Sequence, residues 1–197
     1  MSVLLLLVAA YLLGSIPFAL VSSRLFGLQD PRSYGSRNPG ATNVLRSGHK
    51  AAAAVTLIGD CIKGWFAVWL ATRLGFTASE AALAGFAAFL GHVFTIFLRF
   101  NGGKGVATAL GVLAGIDWRI ALACLGTWLV VAVASRYSSA ASLAAAIVSP
   151  IAGYLLLGAD PVIAVLLAMS SMLVWRHAGN IQRLLSGTEG RLGSKKP

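Results

Sequence analysis

Seven apolar stretches run along the chain, at residues 2–23, 51–72, 79–98, 105–116, 118–135, 140–157 and 161–176. A helix needs about 20 residues to cross the ~30 Å hydrocarbon core of a bilayer, and most of these stretches approach that length. The fourth, "GVATALGVLAGI", is too short for a straight crossing. It is either a thin, partly buried helix or a continuation of the "GGKG" before it, and only "DW" parts it from the fifth. The first, "MSVLLLLVAAYLLGSIPFALV", has the look of a signal peptide. It carries no basic leading region, however, and runs on past Ala10 without a clear cleavage site, so it reads as a retained helix. The predicted fold class is all-α: a polytopic membrane protein with seven transmembrane helices in one domain, residues 1–197. No internal repeat and no inverted pair of broken helices is visible.

Composition agrees with this pattern. The chain is 57% hydrophobic and only 11% charged, where a soluble domain is about a quarter charged. Its net charge of +10 would suit a nucleic-acid binder, but the charge is distributed by side. Of the sixteen Lys and Arg, only Arg73 and Arg119 fall on one side of a seven-helix layout, and Lys63 lies within a span. The rest, including Lys195 and Lys196, share the other side. By the positive-inside rule the N-terminus is outside and the C-terminus cytoplasmic. The basic face attracts anionic headgroups and phosphorylated solutes rather than nucleic acid. Cys61 and Cys124 lie in apolar runs without CxxC spacing and read as buried small residues. The tail "GTEGRLGSKKP" is short, basic and expected to be mobile.

Polar residues gather at four places on the basic side. In "GSRNPGATNVLR", Gly35 and Gly40 allow positive φ, Pro39 sets a turn, and Ser36, Asn38, Thr42 and Asn43 supply donors. Arg37 and Arg46 supply charge, and Arg46 can grip two phosphate oxygens. A short helix beginning at Ala41 would turn its amides to an anion. This is an anion cradle; the plain alternative is a hairpin loop whose arginines serve topology. In "NGGKGVAT", the glycines Gly102, Gly103 and Gly105 let backbone N–H groups converge, with Lys104 at a helix mouth. The pattern is not a Walker A motif, because Leu98 holds the first glycine position and Gly105 follows the lysine. Phosphate binding is retained and nucleotide hydrolysis set aside.

The third place is "WRHAGNIQRLLSGTE", where His177, Asn180 and Arg183 share a broad helix face. His177 can exchange a proton near neutral pH; an interfacial helix end with snorkelling basic groups accounts for the stretch equally well. At the fourth, "SRYSSAAS", Ser142 reads as an anion donor or a plain N-cap. Within the membrane, Asp60 and Lys63 at i and i+3 read as a structural ion pair, and His92 as a hydrogen-bonded core histidine.

Several phosphate cradles on one face imply phosphate-bearing substrates. No carboxylate pair lies near the basic loops, which argues against a Mg²⁺ site. The His-x4-Asp signature of acyltransferases using acyl-CoA or acyl carrier protein is missing: Ala54, Phe97 and Gln182 follow the three histidines at that spacing. A Gly-x-Ser-x-Gly elbow is missing too.

Six motifs together, "YLLGSIPFA", "GSRNPGATNVLR", "GDCIKGW", "GHVF", "GGKGVAT" and "HAGNIQRLLSGTE", resemble the bacterial acyl-phosphate:glycerol-3-phosphate acyltransferase (PlsY) family from Tyr11 to Glu189. The resemblance implies a seven-helix inner-membrane enzyme. It would transfer a fatty acyl group from acyl phosphate to glycerol 3-phosphate, giving lysophosphatidic acid and phosphate, the first acylation of bacterial phospholipid synthesis. It implies no cofactor and no metal. Functional Ser and Arg of the first motif land on Ser36 and Arg46. The glycerol 3-phosphate-binding motif lands on Gly102, Gly103, Lys104 and Gly105. The third motif lands on His177 and Asn180, with a structural Glu at Glu189. Expected partners are the two substrates, membrane lipids and other phospholipid-synthesis enzymes. A transporter or flippase for a phosphorylated solute or lipid is the alternative. It fits less well, because transporters place binding groups near the midplane between repeated halves.

Overall fold

In the computed structural model, which describes residues 2–193, the first apolar stretch is two helices. Helix α1 (Val3–Ser15) starts where the Ser2 hydroxyl accepts the Leu5 N–H, and α2 (Phe18–Leu25) follows a break at Ile16 and Pro17. Proline has no N–H to continue the ladder. The break strands main-chain carbonyls in an apolar environment, where an unpaired one is costly. Two buried side chains answer it: Thr95 donates to the Ser15 carbonyl at 2.6 Å and Lys63 to that of Ile16 at 2.8 Å.

The remaining helices follow the predicted stretches closely. They are α3 (Ala41–Leu45), α4 (Lys50–Arg73), α5 (Ala78–Val93), α6 (Val106–Ile116), α7 (Trp118–Ser135), α8 (Ser138–Leu157), α9 (Val162–Arg176) and α10 (Ala178–Leu185). A 3₁₀ turn, Ile96–Leu98, extends α5. No strand occurs among the described residues. The "DW" boundary is a cap: the Asp117 side chain accepts the Arg119 N–H at 2.8 Å and pairs with its guanidinium at 2.6 Å.

Among the described residues, five helical stretches are long and apolar enough to cross a membrane: Val3–Leu25, Lys50–Arg73, Ala78–Leu98, Trp118–Ser135 and Ser138–Leu157. A sixth is reached if α9 and α10, bent by 55°, count as one span. The expected seventh is α6, whose 11 residues rise only about 16 Å. Lys195 and Lys196, expected on the basic side, lie outside the described residues together with the end of the tail.

The chain divides into two units, Met1–Ile116 and Asp117–Pro197. In the first, α4 packs on α5 and α6, and α1 packs on α5. Glycines set these crossings. Gly14 abuts the Ala88 backbone, Gly91 that of Tyr11, Gly64 that of Thr108 and Gly111 that of Cys61, each without space for a Cβ. Lipid tails are as apolar as leucine, so membrane helices associate through such close packing. In the second unit α8 packs on α7 and α9. Large apolar side chains point outward in both, among them Leu4 and Ile58 in the first and Val130, Val133 and Leu155 in the second. Both cysteines are free thiols, Cys124 buried and Cys61 half-buried.

Gly111→Val, which drives a side chain into the Cys61 carbonyl, is expected to cost about 1–3 kcal/mol of stability. Gly126→Val, at a position with open space around it, is expected to leave stability nearly unchanged. Thermal unfolding of the two purified variants in detergent checks the contrast.

Candidate functional site

The loop before α3 is organised by one buried side chain. Asn43, 1% exposed, accepts the Ser36 N–H at 2.9 Å and donates to the carbonyls of Pro31 at 2.6 Å and Tyr34 at 3.3 Å. Gly35 takes left-handed backbone, φ 57°, with the Asn43 and Arg46 side chains where a Cβ would stand. Asn43 was expected to hold phosphate. Its amide is engaged with the loop instead, because a buried amide must pair with whatever lies within reach. Ser36, Thr42 and Arg46 are exposed. Asn38 is half-buried with its amide nitrogen near Gly40. Helix α3 begins at Ala41 as expected, with Gly40 as its N-cap.

The glycine stretch also differs from the expected nest of converging amides. Gly102 donates its N–H to the Val93 carbonyl and Gly103 to that of His92, each at 3.1 Å. The turn therefore closes the C-terminal end of α5, whose last carbonyls lack helical partners. A Cβ at Gly102 would strike the His92 carbonyl and one at Gly103 the His92 ring. Gly105, φ 88°, stands against the Phe89 ring and leads into α6. Lys104 is half-buried at that helix mouth.

Beneath the turn lies a buried cluster. Lys63 pairs with Asp60 at 2.8 Å, and His92 Nδ1 stands 3.3 Å from the same carboxylate oxygen. Asp60, Lys63 and His92 line a small cavity of about 10 Å³ together with Gly102, Gly103 and Pro39. The tip of the first loop and the glycine turn thus share one cavity within the first unit. Sequence reading gave Asp60–Lys63 and His92 as separate features. Pro17, breaking an apolar stretch, was the signal that a buried donor had to be near.

In the second unit, Glu189 gathers three side chains into one knot. Its Oε1 accepts from Ser139 at 2.7 Å and from Asn180 Nδ2 at 2.6 Å, and its Oε2 from Arg183 Nε at 2.7 Å. Burial works against the carboxylate, and the hydrogen bonds from Ser139, Asn180 and Arg183 outweigh it, holding Glu189 below the ordinary carboxylate range. Ser139 lies within the serine-rich "SRYSSAAS" stretch, whose sequence alone does not single it out. His177 is 2% exposed and ends α9, with Nδ1 2.8 Å from the Leu173 carbonyl. A carbonyl only accepts, so Nδ1 carries the proton and the neutral ring has its lone pair on Nε2. Ser142 is neither an N-cap nor a ready donor. Helix α8 starts at Ser138, so the Ser142 hydroxyl reaches back to the Ser138 carbonyl at 2.8 Å and accepts from Trp128 at 3.2 Å.

Glycine-packed apolar helices carrying polar loops define a multi-pass helical membrane protein. The family model for glycerol-3-phosphate acyltransferase matches residues 4–187. The glycerol-3-phosphate acyltransferase of Aromatoleum aromaticum is 68% identical over 196 residues, which is 100% of this chain and 100% of its own length. That of Dechloromonas aromatica is 55% identical, over 100% of this chain and 99% of its own. The crystal structure of PlsY (YgiH), an integral membrane glycerol 3-phosphate acyltransferase, in its glycerol 3-phosphate form aligns with a TM-score of 0.92 and 36% identity, covering 98% of this chain and 96% of that one. Its lysophosphatidic acid form gives 0.91 over the same shares. The chain belongs to the glycerol-3-phosphate acyltransferase family.

Because Glu189 is held below its ordinary value of 4.5, its contribution to stability is full above that value. It is lost as pH falls through the lowered folded-state value. Protection against hydrogen exchange over residues 178–189, taken relative to the intrinsic rate at each pH, is therefore expected to hold from neutral pH down to about 5 and to fall below it. In Glu189→Gln the protection is expected to be lower at neutral pH and to lose this acid step.

Proposed function

We propose that this protein transfers a fatty acyl group from acyl phosphate to glycerol 3-phosphate, releasing lysophosphatidic acid and phosphate as the first acylation of bacterial phospholipid synthesis. The observation that carries the acceptor is the family match over nearly the whole chain, with 36% identity to a structure solved in a glycerol 3-phosphate form. The donor reading rests on chemistry. No His-x4-Asp is present, and an acyl phosphate, being a mixed anhydride, brings its own good leaving group.

On this reading the hydroxyl oxygen of glycerol 3-phosphate attacks the acyl carbonyl carbon. The carbon–oxygen bond to phosphate breaks, and phosphate leaves with the electron pair. The protein aligns two anions and stabilises the charge that develops. Ser36, Arg46 and Lys104 hold phosphate oxygens, with Gly35, Asn38, Gly40, Thr42, Gly105 and Ser142 lining the phosphate sites. Asn43, Gly102 and Gly103 shape those sites through the loop bonds described above. His177 and Asn180 orient the attacking hydroxyl. Nε2 of His177, or an oxygen of a substrate phosphate, takes the proton. Glu189 holds Asn180 in place.

The same proposal includes seven crossings, with α6 and α9 completing the count of long spans. It puts the N-terminus outside and the C-terminus in the cytoplasm of a bacterial inner membrane. One acyltransferase domain over 1–197 fits the family match, which spans both units.

Purified protein given palmitoyl phosphate and labelled glycerol 3-phosphate, without coenzyme A or Mg²⁺, is expected to release phosphate and labelled lysophosphatidic acid in equal amounts. Lys104→Ala is expected to lower kcat/KM for glycerol 3-phosphate at least about a hundredfold. Turnover with acyl-CoA but not acyl phosphate would overturn the donor. Labelled glycerol 3-phosphate accumulating in proteoliposomes without lipid product would point to transport.

A further inference from the structure

Asp60, Lys63 and His92 are 2%, 2% and 7% exposed, deep in apolar stretches. Packing alone does not call for them. Replacing a buried ion pair by apolar residues of similar volume is often neutral or stabilising, and ionisable groups at membrane depth mark functional sites. Lys63 has one further task, holding the Ile16 carbonyl at the helix break. That accounts for a lysine and its counter-ion but not for His92.

The other arm of the cluster leads to the glycine turn. Asp60 lies 3.3 Å from His92 Nδ1. The backbone carbonyl of His92 receives the Gly103 N–H, and the opposite edge of its ring, at Nε2, is where a Gly103 side chain would have to go. Fixing the ring therefore fixes how closely the turn can approach α5. Lys104 is the next residue. A cavity of about 10 Å³, about the space of one water, lies between cluster and turn; the cluster meets the turn through the His92 ring and carbonyl.

We propose that Asp60, Lys63 and His92 form a positioning cluster that sets the height of the Gly102–Gly103 turn, and through it Lys104, for the one substrate phosphate Lys104 holds, which the motif resemblance makes that of glycerol 3-phosphate. This rests on the acyltransferase reading above. A binding group held slightly out of place binds more weakly, and the cost falls on the substrate which that group holds.

The test is steady-state kinetics of the full chain in detergent with both substrates varied. Asp60→Asn and Gly103→Ala are each expected to raise KM for glycerol 3-phosphate about tenfold, with KM for acyl phosphate and kcat within about twofold. The double variant is expected to be no worse than about tenfold, because both changes move the same turn. Should Asp60→Asn not yield folded protein, His92→Gln takes its place; it keeps the backbone carbonyl and loses only the ring. Equal rises in both KM values, a fall in kcat alone, or multiplicative effects in the double variant would overturn the cluster's role. Wild-type protein that makes no lysophosphatidic acid overturns the acyltransferase reading and this inference together. Normal wild-type turnover with unshifted variants overturns this inference alone.

Discussion

A broken helix inside hydrocarbon must find partners for the carbonyls it strands, and much of the first unit follows from that need. The break at Ile16 and Pro17 draws in Lys63 and Thr95. A buried ammonium cannot stand alone at that depth, so Asp60 comes with it, one helical turn away on α4. The carboxylate then reaches His92 on α5. Thr95, just past the end of α5, closes the ring back to α1. One break in a helix thus organises polar groups from three helices within an otherwise apolar bundle.

The polar residues divide by burial into those that shape and those that present. Asn43 is consumed by the loop it staples, while Ser36 and Arg46 around it stay exposed. Gly102 and Gly103 donate their amides to α5, and Lys104 follows them just before α6 begins. The second unit repeats this arrangement with a charge at its centre. Glu189 collects Ser139, Asn180 and Arg183, and the bond from Asn180 decides which end of its amide faces the carboxylate. Rigid supports of this kind allow loop residues to meet a substrate without first being ordered.

The helices were legible in the sequence because apolar length is a direct measure of what a bilayer demands. Their edges came out within a few residues, even at "DW", where Asp117 proved to be a cap. The Ile16 break was not foreseen, since hydropathy is blind to a missing N–H in an unbroken apolar run. At the site, residue type announced polarity but not direction. The glycines were read as amides turned toward a ligand; they face α5, because the nearest unpaired groups are its own last carbonyls. Ser142 was read at a helix start, and the helix begins a turn earlier, which leaves its hydroxyl to the Ser138 carbonyl. Asp60, Lys63 and His92 were each noticed, but residues thirty positions apart reveal their meeting only when α4 and α5 are packed together.

The turn at Gly102 and Gly103 is a wall made of main-chain atoms. Such a wall has no side chain for mutation to trim, and any addition collides with His92. A side chain gained there shifts the end of a helix, so over generations this turn is far less free to drift than the exposed loop residues nearby.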